Sequence, residues 1–116
     1  MARGFETKCL HLEEEEGDCS HFGALSYPIY QTATYAHPGV GQSTGFDYSR
    51  LQNPTREHLE KIVASLENGI DAFAFTTGMA AITMLMELFA PGDHLIVDED
   101  LYGGSIRLFS HVSSKN

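Results

Sequence analysis

The chain has 116 residues, 42% of them hydrophobic and 20% charged, which fits one globular domain at most. Its formal net charge of −9 disfavours nucleic acid and anionic membranes as partners, because their phosphates repel an acidic protein. We expect no membrane span, because no apolar stretch approaches the roughly 20 residues that a membrane helix needs. Two cysteines and no visible export signal predict a reducing, cytoplasmic location.

The first half of the chain favours extended or irregular structure. Residues 5–11 are compatible with one or two short helical turns, and residues 13–17 predict a solvated acidic loop. A proline and several β-branched residues disfavour helix between positions 24 and 35. Residues 36–47 are rich in glycine, serine and proline, which predicts a long loop.

The second half alternates helical and strand patterns, which predicts the start of an α/β domain with a parallel sheet. The predicted elements are a helix opened by Asn53 and Pro54 and ended by Asn68-Gly69, a strand at 71–75, a helix at 79–89, a strand at 94–98 and a last helical segment at 105–113. Two short strands do not make a stable sheet, and helix 79–89 is apolar on nearly all sides. We therefore expect the N-terminal piece of a larger protein, or a chain that gains its missing layers from a partner.

A small-residue turn, Thr77-Gly78-Met79, leads from the first predicted strand into the second predicted helix. A helix N-terminus presents free backbone N–H groups and the positive end of the helix dipole, and this combination binds phosphate. The alternative is a plain strand-to-helix turn in which glycine supplies a positive φ.

Tyr48 and Arg50 are a second candidate for binding an anion. At positions i and i+2 of an extended segment they would project from the same face, and a phenol beside a guanidinium suits phosphate oxygens. The alternative is that Arg50 forms ion pairs with the surplus carboxylates of this acidic chain.

Tyr102 follows the second predicted strand directly, before Gly103-Gly104. Ligands of open α/β sheets bind at the carboxyl edge of the strands, and an aromatic side chain there can stack on a flat ring. The alternative is a tyrosine that packs on its own loop.

Two Cys-x-His pairs, Cys9 with His11 and Cys19 with His21, supply four ligands of the kind that zinc prefers. Their spacing is not among the common zinc patterns, and the loop between them is polyacidic, so we predict no metal site. His58 falls on the polar face of its predicted helix, where we assign it no role.

Taken together and in order, these segments resemble one protein family. It is the Cys/Met-metabolism group of enzymes dependent on pyridoxal 5'-phosphate (PLP), which includes cystathionine γ-synthase, cystathionine β- and γ-lyases, O-acetylhomoserine sulfhydrylase and methionine γ-lyase. The similar segments are Gly23–Tyr35, Tyr48–Arg56, Gly78–Ile82 and Leu101–Ser105, so the resemblance spans nearly the whole chain.

The resemblance implies a fold-type-I, aminotransferase-like large domain, of which residues 48–116 would be the incomplete start. Residues 1–47 would form an N-terminal helix and an extended segment that wraps onto the adjacent subunit. The family assembles active sites across a dimer interface and is usually a tetramer, so the resemblance implies a homo-oligomer.

The resemblance also implies a role for each candidate residue. The backbone N–H groups of Gly78 and Met79 would hold the cofactor phosphate, and Tyr48 and Arg50 would reach the phosphate of a neighbouring subunit's cofactor. Tyr102 would stack on the pyridine ring and help in proton handling, which makes it the candidate catalytic residue.

The implied activity is β/γ-elimination or γ-replacement on cysteine- or homoserine-derived amino acids such as cystathionine or O-acylhomoserine. Residues 102–109 look most like cystathionine γ-synthases and bacterial β-lyases. In the family, the Schiff-base lysine, the acidic partner of the pyridine nitrogen and the substrate-binding arginine lie beyond position 116. Lys8, Lys61 and Lys115 do not match the lysine motif, so we expect the chain alone to be inactive. The competing hypothesis is a non-catalytic oligomerisation or phosphate-binding module.

Overall fold

The computed structural model describes residues 4–12 and 21–113. Four α-helices occur in these residues: α1 (Phe5–Lys8), α2 (Pro54–Glu67), α3 (Gly78–Met86) and α4 (Gly103–Arg107), the last continued by a π-helical segment (Leu108–Val112). Two compact units divide the chain, Met1–Ala74 and Phe75–Asn116. None of the helices found in the described ranges is long and apolar enough to cross a membrane.

Both ends of helix α2 confirm the sequence prediction. The Asn53 side-chain oxygen accepts a hydrogen bond of 2.9 Å from the Thr55 backbone N–H, and Pro54 occupies the first helical position, where a missing N–H costs nothing. At the other end Asn68 adopts the left-handed conformation with φ of 55°, and Gly69 N–H donates to the Ala64 carbonyl.

The start of α2 also holds the extended segment of the first unit. Asn53 Nδ2 donates to the Tyr30 carbonyl at 3.1 Å and to Ser49 Oγ at 3.0 Å. The Thr55 hydroxyl accepts the Tyr30 backbone N–H at 2.8 Å, and Ser49 Oγ donates to the Thr32 carbonyl. The Tyr30 N–H and the carbonyls of Tyr30 and Thr32, which have no helical partners, are thus hydrogen-bonded by side chains at or just before the start of α2.

The base of the loop at residues 36–47 is closed by a β-bridge between Thr34 and Tyr48. Ser49 N–H donates to the Ala33 carbonyl at 2.9 Å, just outside this pair. The predicted long loop is confirmed between the two sides of the bridge, where the structure shows turns and bends but neither helix nor strand.

A cluster of aromatic rings packs residues 21–30 against α2. The Tyr27 ring stacks on His58 of α2 at a centroid distance of 3.9 Å and an angle of 10°, and His21 meets Tyr27 edge-on at 4.9 Å. The Tyr30 hydroxyl lies 3.0 Å from His21 Nδ1. His58 thus has a packing partner, which helical periodicity could not reveal because Tyr27 lies 31 positions away in the sequence.

The two predicted strands are not formed as strands. In the described part of the chain the one β-pairing is the Thr34–Tyr48 bridge, and residues 71–75 and 94–98 have no strand partner. Apolar side chains of both segments are exposed to solvent, Phe73 to 73% and Ile96 to 87%. A strand forms only when a neighbour accepts its N–H groups, and here the Ala74 N–H is bound by the Glu60 carboxylate at 2.8 Å instead.

Both helices of the second unit have different bounds from those predicted. Helix α3 ends at Met86 rather than at residue 89, because the N–H groups of the next three residues bond three positions back and tighten the chain. Helix α4 begins at Gly103, two residues earlier than predicted, because Tyr102 supplies the carbonyl for the Ser105 and Ile106 N–H groups.

We predict that Asn53→Ala lowers the free energy of unfolding by about 1–2 kcal/mol, because it removes both the helix cap and the two Nδ2 bonds. Asn53→Asp keeps the capping oxygen and loses only the donors, so it should cost about half as much. Chemical denaturation of the protein produced from its whole natural reading frame measures both. Equal losses in the two variants would contradict the double role of Asn53.

Candidate functional site

The N-terminus of α3 leaves two backbone donors available. Thr77 caps the helix, since its hydroxyl accepts the Ala80 N–H at 3.1 Å and its carbonyl accepts the Ala81 N–H at 3.2 Å. The N–H groups of Gly78 and Met79 have no hydrogen-bond partner among the described residues. Adjacent amides at the positive end of a helix are an anion-binding arrangement.

Gly78 is not required by the local geometry of the chain. Its φ is not positive, whereas among the described glycines Gly23, Gly41, Gly45 and Gly92 have positive φ values. A Cβ built at Gly78 would meet no atom within 4 Å. The alternative in which Gly78 supplies a positive φ is therefore wrong, and the position that a Gly78 Cβ would take is open.

Tyr102 and Met79 meet at Gly104. A Cβ placed on Gly104 would lie 2.6 Å from Tyr102 Cε1 and 3.0 Å from Met79 Sδ. The Tyr102 ring lies against the first turn of α4, yet the residue is 74% exposed, so a face remains open for another ring. The second unit thus brings Tyr102 close to a residue that supplies one of the free amides.

Tyr48 and Arg50 are adjacent, although not in the predicted extended form. The chain turns here, since the N–H groups of Leu51 and Gln52 both donate to the Tyr48 carbonyl at 2.9 Å. The Arg50 guanidinium carbon lies 5.0 Å from the centre of the Tyr48 ring, a cation–π contact.

The ion pairs expected in the alternative interpretation of Arg50 are not found. No carboxylate among the described residues lies within ion-pair distance of Arg50. Arg56, by contrast, pairs with Glu60 at 3.6 Å and donates to the Leu51 carbonyl. The Arg50 guanidinium thus has no carboxylate partner among the described residues, whereas Arg56 uses its N–H groups within α2 and the preceding turn.

The candidate residues fall into two groups. Tyr48 and Arg50 belong to the unit Met1–Ala74, and Gly78, Met79 and Tyr102 belong to the unit Phe75–Asn116. Each group is locally formed as a possible ligand site. Their joint action on one ligand stays a prediction.

The four residues considered for zinc are only partly described. Cys19 lies outside the described residues, Cys9 is an exposed free thiol, and His21 is bound to the Tyr30 hydroxyl. A search of residues 4–12 and 21–113 finds no group of three potential metal ligands.

Sequence reasoning missed two features of the site. The capping role of Thr77 had a readable signal, because threonine before the first helical residue is a common N-cap. The contact of Gly104 with both Tyr102 and Met79 had none, because nothing in a Gly-Gly pair marks which glycine is crowded.

A comparison with known families identifies the architecture. The sequence pattern of the Cys/Met metabolism PLP-dependent enzymes matches residues 6–116. The chain belongs to this family. The cofactor of the family is PLP, which has a phosphate at one end and a flat pyridine ring.

Individual relatives agree with the family assignment. The chain is 48% identical over 115 residues to the cystathionine γ-synthase/O-acetylhomoserine (thiol)-lyase of Bacillus subtilis, covering 99% of this chain and 30% of the relative. It is 50% identical over 93 residues to a cystathionine β-lyase of Lactococcus lactis, covering 80% of this chain and 24% of that enzyme.

The structural comparison supports the predicted fold type. The crystal structure of cystathionine γ-synthase from Xanthomonas oryzae in complex with cystathionine matches with a TM-score of 0.84 and 33% identity, covering 99% of this chain. The chain spans about 30% of that structure, as it does of the Bacillus subtilis relative. An α/β fold of type I is consistent with these neighbours, although the described residues contain no sheet.

The second unit fits the family's cofactor. The open space at Gly78 and the two free amides suit a phosphate, and the exposed Tyr102 ring beside Met79 suits a flat aromatic ring. Both parts of the ligand thus find a complementary group within the unit Phe75–Asn116.

We predict that Gly78→Ala weakens binding of pyridoxamine 5'-phosphate about tenfold or more, because the new methyl group occupies the space beside the free amides. This probe has the cofactor's phosphate and ring but no aldehyde, so it reports only non-covalent binding. Equilibrium dialysis of the cofactor-free protein measures the change.

Stability provides the control for this variant. Gly78→Ala should leave the free energy of unfolding unchanged or slightly higher, because φ is permissive and the Cβ meets no atom within 4 Å. Gly92→Ala should lower it by about 1 kcal/mol, because φ is 98° there. Tight probe binding by Gly78→Ala would contradict the anion site.

Proposed function

We propose that this protein is part of a PLP-dependent trans-sulfuration enzyme that carries out β/γ-elimination or γ-replacement on cysteine- or homoserine-derived amino acids. The observation that carries the proposal is the pair of free amides at Gly78 and Met79, next to the exposed ring of Tyr102. Family membership supports it, since the relatives are named as synthases and lyases that act on cystathionine or O-acetylhomoserine. Identities of 48% and 50% do not separate the γ-synthase branch from the β-lyase branch.

In this proposal the second unit binds and orients the cofactor. The Gly78 and Met79 N–H groups donate to the phosphate, where the helix dipole also favours negative charge. The Tyr102 ring covers one face of the pyridine, and its hydroxyl Oη holds or moves a proton near the substrate. PLP, when bound, supplies the electron sink for carbanion chemistry on the amino acid.

Tyr48 and Arg50 act in the proposal on the phosphate held by a second copy of the chain. Arg50 is suited to this role because no described carboxylate engages it and the Tyr48 ring holds its guanidinium. A planar fork of N–H donors matches phosphate oxygens better than a single ammonium does. The protein would then be a homodimer with shared active sites, assembled further into a tetramer in the cytoplasm.

The 116-residue chain by itself is proposed to be inactive. Lys61 is exposed on α2, and its ammonium lies 2.7 Å from the Glu57 carboxylate. Nucleophilic lysines are found instead in desolvated pockets or beside other cations. Lys8 ends the four-residue helix α1, and Lys115 lies outside the described residues.

A second candidate function is a non-catalytic oligomerisation or phosphate-binding module. It is favoured by one observation, that the groups formed here suit binding of a ligand while Lys61 is exposed and paired with Glu57. The two candidates differ in covalent chemistry, which the lysine experiment below detects.

We predict that Arg50→Ala weakens pyridoxamine 5'-phosphate binding by about 1.5–3 kcal/mol, the range for hydrogen bonds to a charged group. The measurement is equilibrium dialysis of the cofactor-free protein from the whole natural reading frame. Arg56→Ala is the matched control and should leave binding unchanged, because Arg56 is engaged within its own helix. Equal effects of the two variants would indicate a loss of general positive charge rather than a phosphate contact.

We predict that the 116-residue chain forms no stoichiometric pyridoxyl-lysine when it is incubated with PLP and reduced with borohydride. The reason is that Lys61 is exposed and paired with Glu57, whereas a nucleophilic lysine is desolvated or lies beside another cation, and that Lys8 and Lys115 do not match the lysine motif of the family. Mass spectrometry of the digested product locates any adduct. The product of the whole reading frame is the comparison, and an adduct confined to one lysine of the short chain would overturn the proposed inactivity.

A further inference from the structure

Two adjacent glycines open helix α4, and only one of them is crowded. A Cβ built on Gly103 would meet no atom within 4 Å. A Cβ built on Gly104 would lie 2.6 Å from Tyr102 Cε1, 3.1 Å from Tyr102 Cδ1 and 3.0 Å from Met79 Sδ. Neither glycine has a positive φ, so the backbone conformation requires glycine at neither position.

The crowding at Gly104 involves side chains rather than backbone. The edge of the Tyr102 ring and the Met79 thioether both lie close to the position that a Gly104 Cβ would take. The Met79 thioether accepts a weak hydrogen bond from the Ser105 hydroxyl, whereas the Tyr102 side chain has no hydrogen bond among the described residues. Added bulk at Gly104 is therefore relieved by rotating the Tyr102 ring outwards, which its 74% exposure permits.

Ser105 shows that the other side of this contact is closely packed. It is only 4% exposed, and its hydroxyl lies 3.9 Å from Met79 Sδ, a weak hydrogen bond. Met79 is thus held against the first turn of α4 by a buried neighbour. When a side chain is added at Gly104, the exposed Tyr102 ring can therefore move away more readily than the Met79 thioether.

We propose that Gly104 is a positioning residue that sets the distance between the Tyr102 ring and the N-terminus of α3. It acts through its lack of a side chain, which lets the ring lie beside Met79. This inference rests on the proposed function, in which Tyr102 covers the cofactor ring while the Met79 amide binds the phosphate. One ligand can touch both groups only when the ring keeps its place.

The test compares Gly104→Ala with Gly103→Ala, which add the same methyl group to the same helical turn. The protein from the whole natural reading frame is labelled with 3-fluorotyrosine, and the ¹⁹F resonance of Tyr102 is assigned by its loss in Tyr102→Phe. Gly104→Ala should move this resonance in the cofactor-free protein, whereas Gly103→Ala should leave it in place. An unmoved resonance in Gly104→Ala overturns the proposal.

A binding measurement then tests whether the position of the Tyr102 ring affects cofactor affinity. Gly104→Ala should weaken pyridoxamine 5'-phosphate binding about two- to tenfold, the factor expected for the loss of one aromatic ring contact. Gly103→Ala should bind as the unaltered protein does. A displaced ring with unchanged affinity also overturns the proposal, because position would then be irrelevant to the ligand.

A separate variant distinguishes failure of this inference from failure of the proposed function. Tyr102→Ala removes the ring altogether and should weaken probe binding at least as much as Gly104→Ala does. Unchanged binding in Tyr102→Ala would show that the ring does not contact the cofactor, which contradicts the proposed role of Tyr102 itself. Weaker binding in Tyr102→Ala together with normal binding in Gly104→Ala would contradict only the positioning role of Gly104.

Discussion

The capping of helix α3 is the constraint on which the candidate site depends. The N–H groups at a helix start lack a carbonyl partner within the helix, and the Thr77 hydroxyl satisfies that of Ala80 while its carbonyl accepts the first helical bond, from Ala81. The N–H groups of Gly78 and Met79 stay without a partner among the described residues, and a Cβ at Gly78 would meet no atom within 4 Å. A capped helix that still offers adjacent amides combines a fixed geometry with free donors, which is what an anion site needs.

In the first unit, Arg50 is positioned by a hydrogen-bond network and not by a helix cap. A hydrogen-bond network from Asn53, Thr55 and Ser49 fixes the extended segment around Tyr30 to the start of α2. The turn at Tyr48 follows from the same framework, because the bridge with Thr34 ends there. Arg50 therefore projects from a turn in which the Leu51 and Gln52 N–H groups donate to the Tyr48 carbonyl, and its guanidinium lies over the Tyr48 ring, with no carboxylate of the described residues paired to it.

The second unit leaves apolar side chains exposed that a self-sufficient domain would bury in its core. Helix α3 carries apolar residues on nearly all sides, yet Met84 and Leu85 are exposed, and so are the apolar side chains at 94–98. Among the described hydrophobic residues only Ala64, in the first unit, is classed as buried core. Such surfaces are stabilising only when other layers cover them, which agrees with the small share of its relatives that this chain spans.

The features that could be predicted from sequence are those governed by neighbouring residues. Asn53 with Pro54 and Asn68 with Gly69 fixed the ends of α2, because caps depend on a few adjacent backbone groups. The predicted strands at 71–75 and 94–98 are not formed. An apolar pattern shows that a segment can pair in a sheet, but it does not show that a neighbouring strand is present. The domain division at residue 47 stays a prediction.

The sequence by itself determined both ends of helix α2, the net negative charge and the set of residues that resemble the PLP enzymes, since each depends on local chemistry or on similarity along the chain. Only the tertiary structure decided that Tyr27 stacks on His58, that Arg50 lies over Tyr48 with no carboxylate partner in the described part of the chain, and that a Cβ at Gly104 would meet both Tyr102 and Met79. These contacts either join residues that are distant in the sequence, or distinguish one of two adjacent glycines from the other. Their energies depend on distances in space, which residue order does not specify.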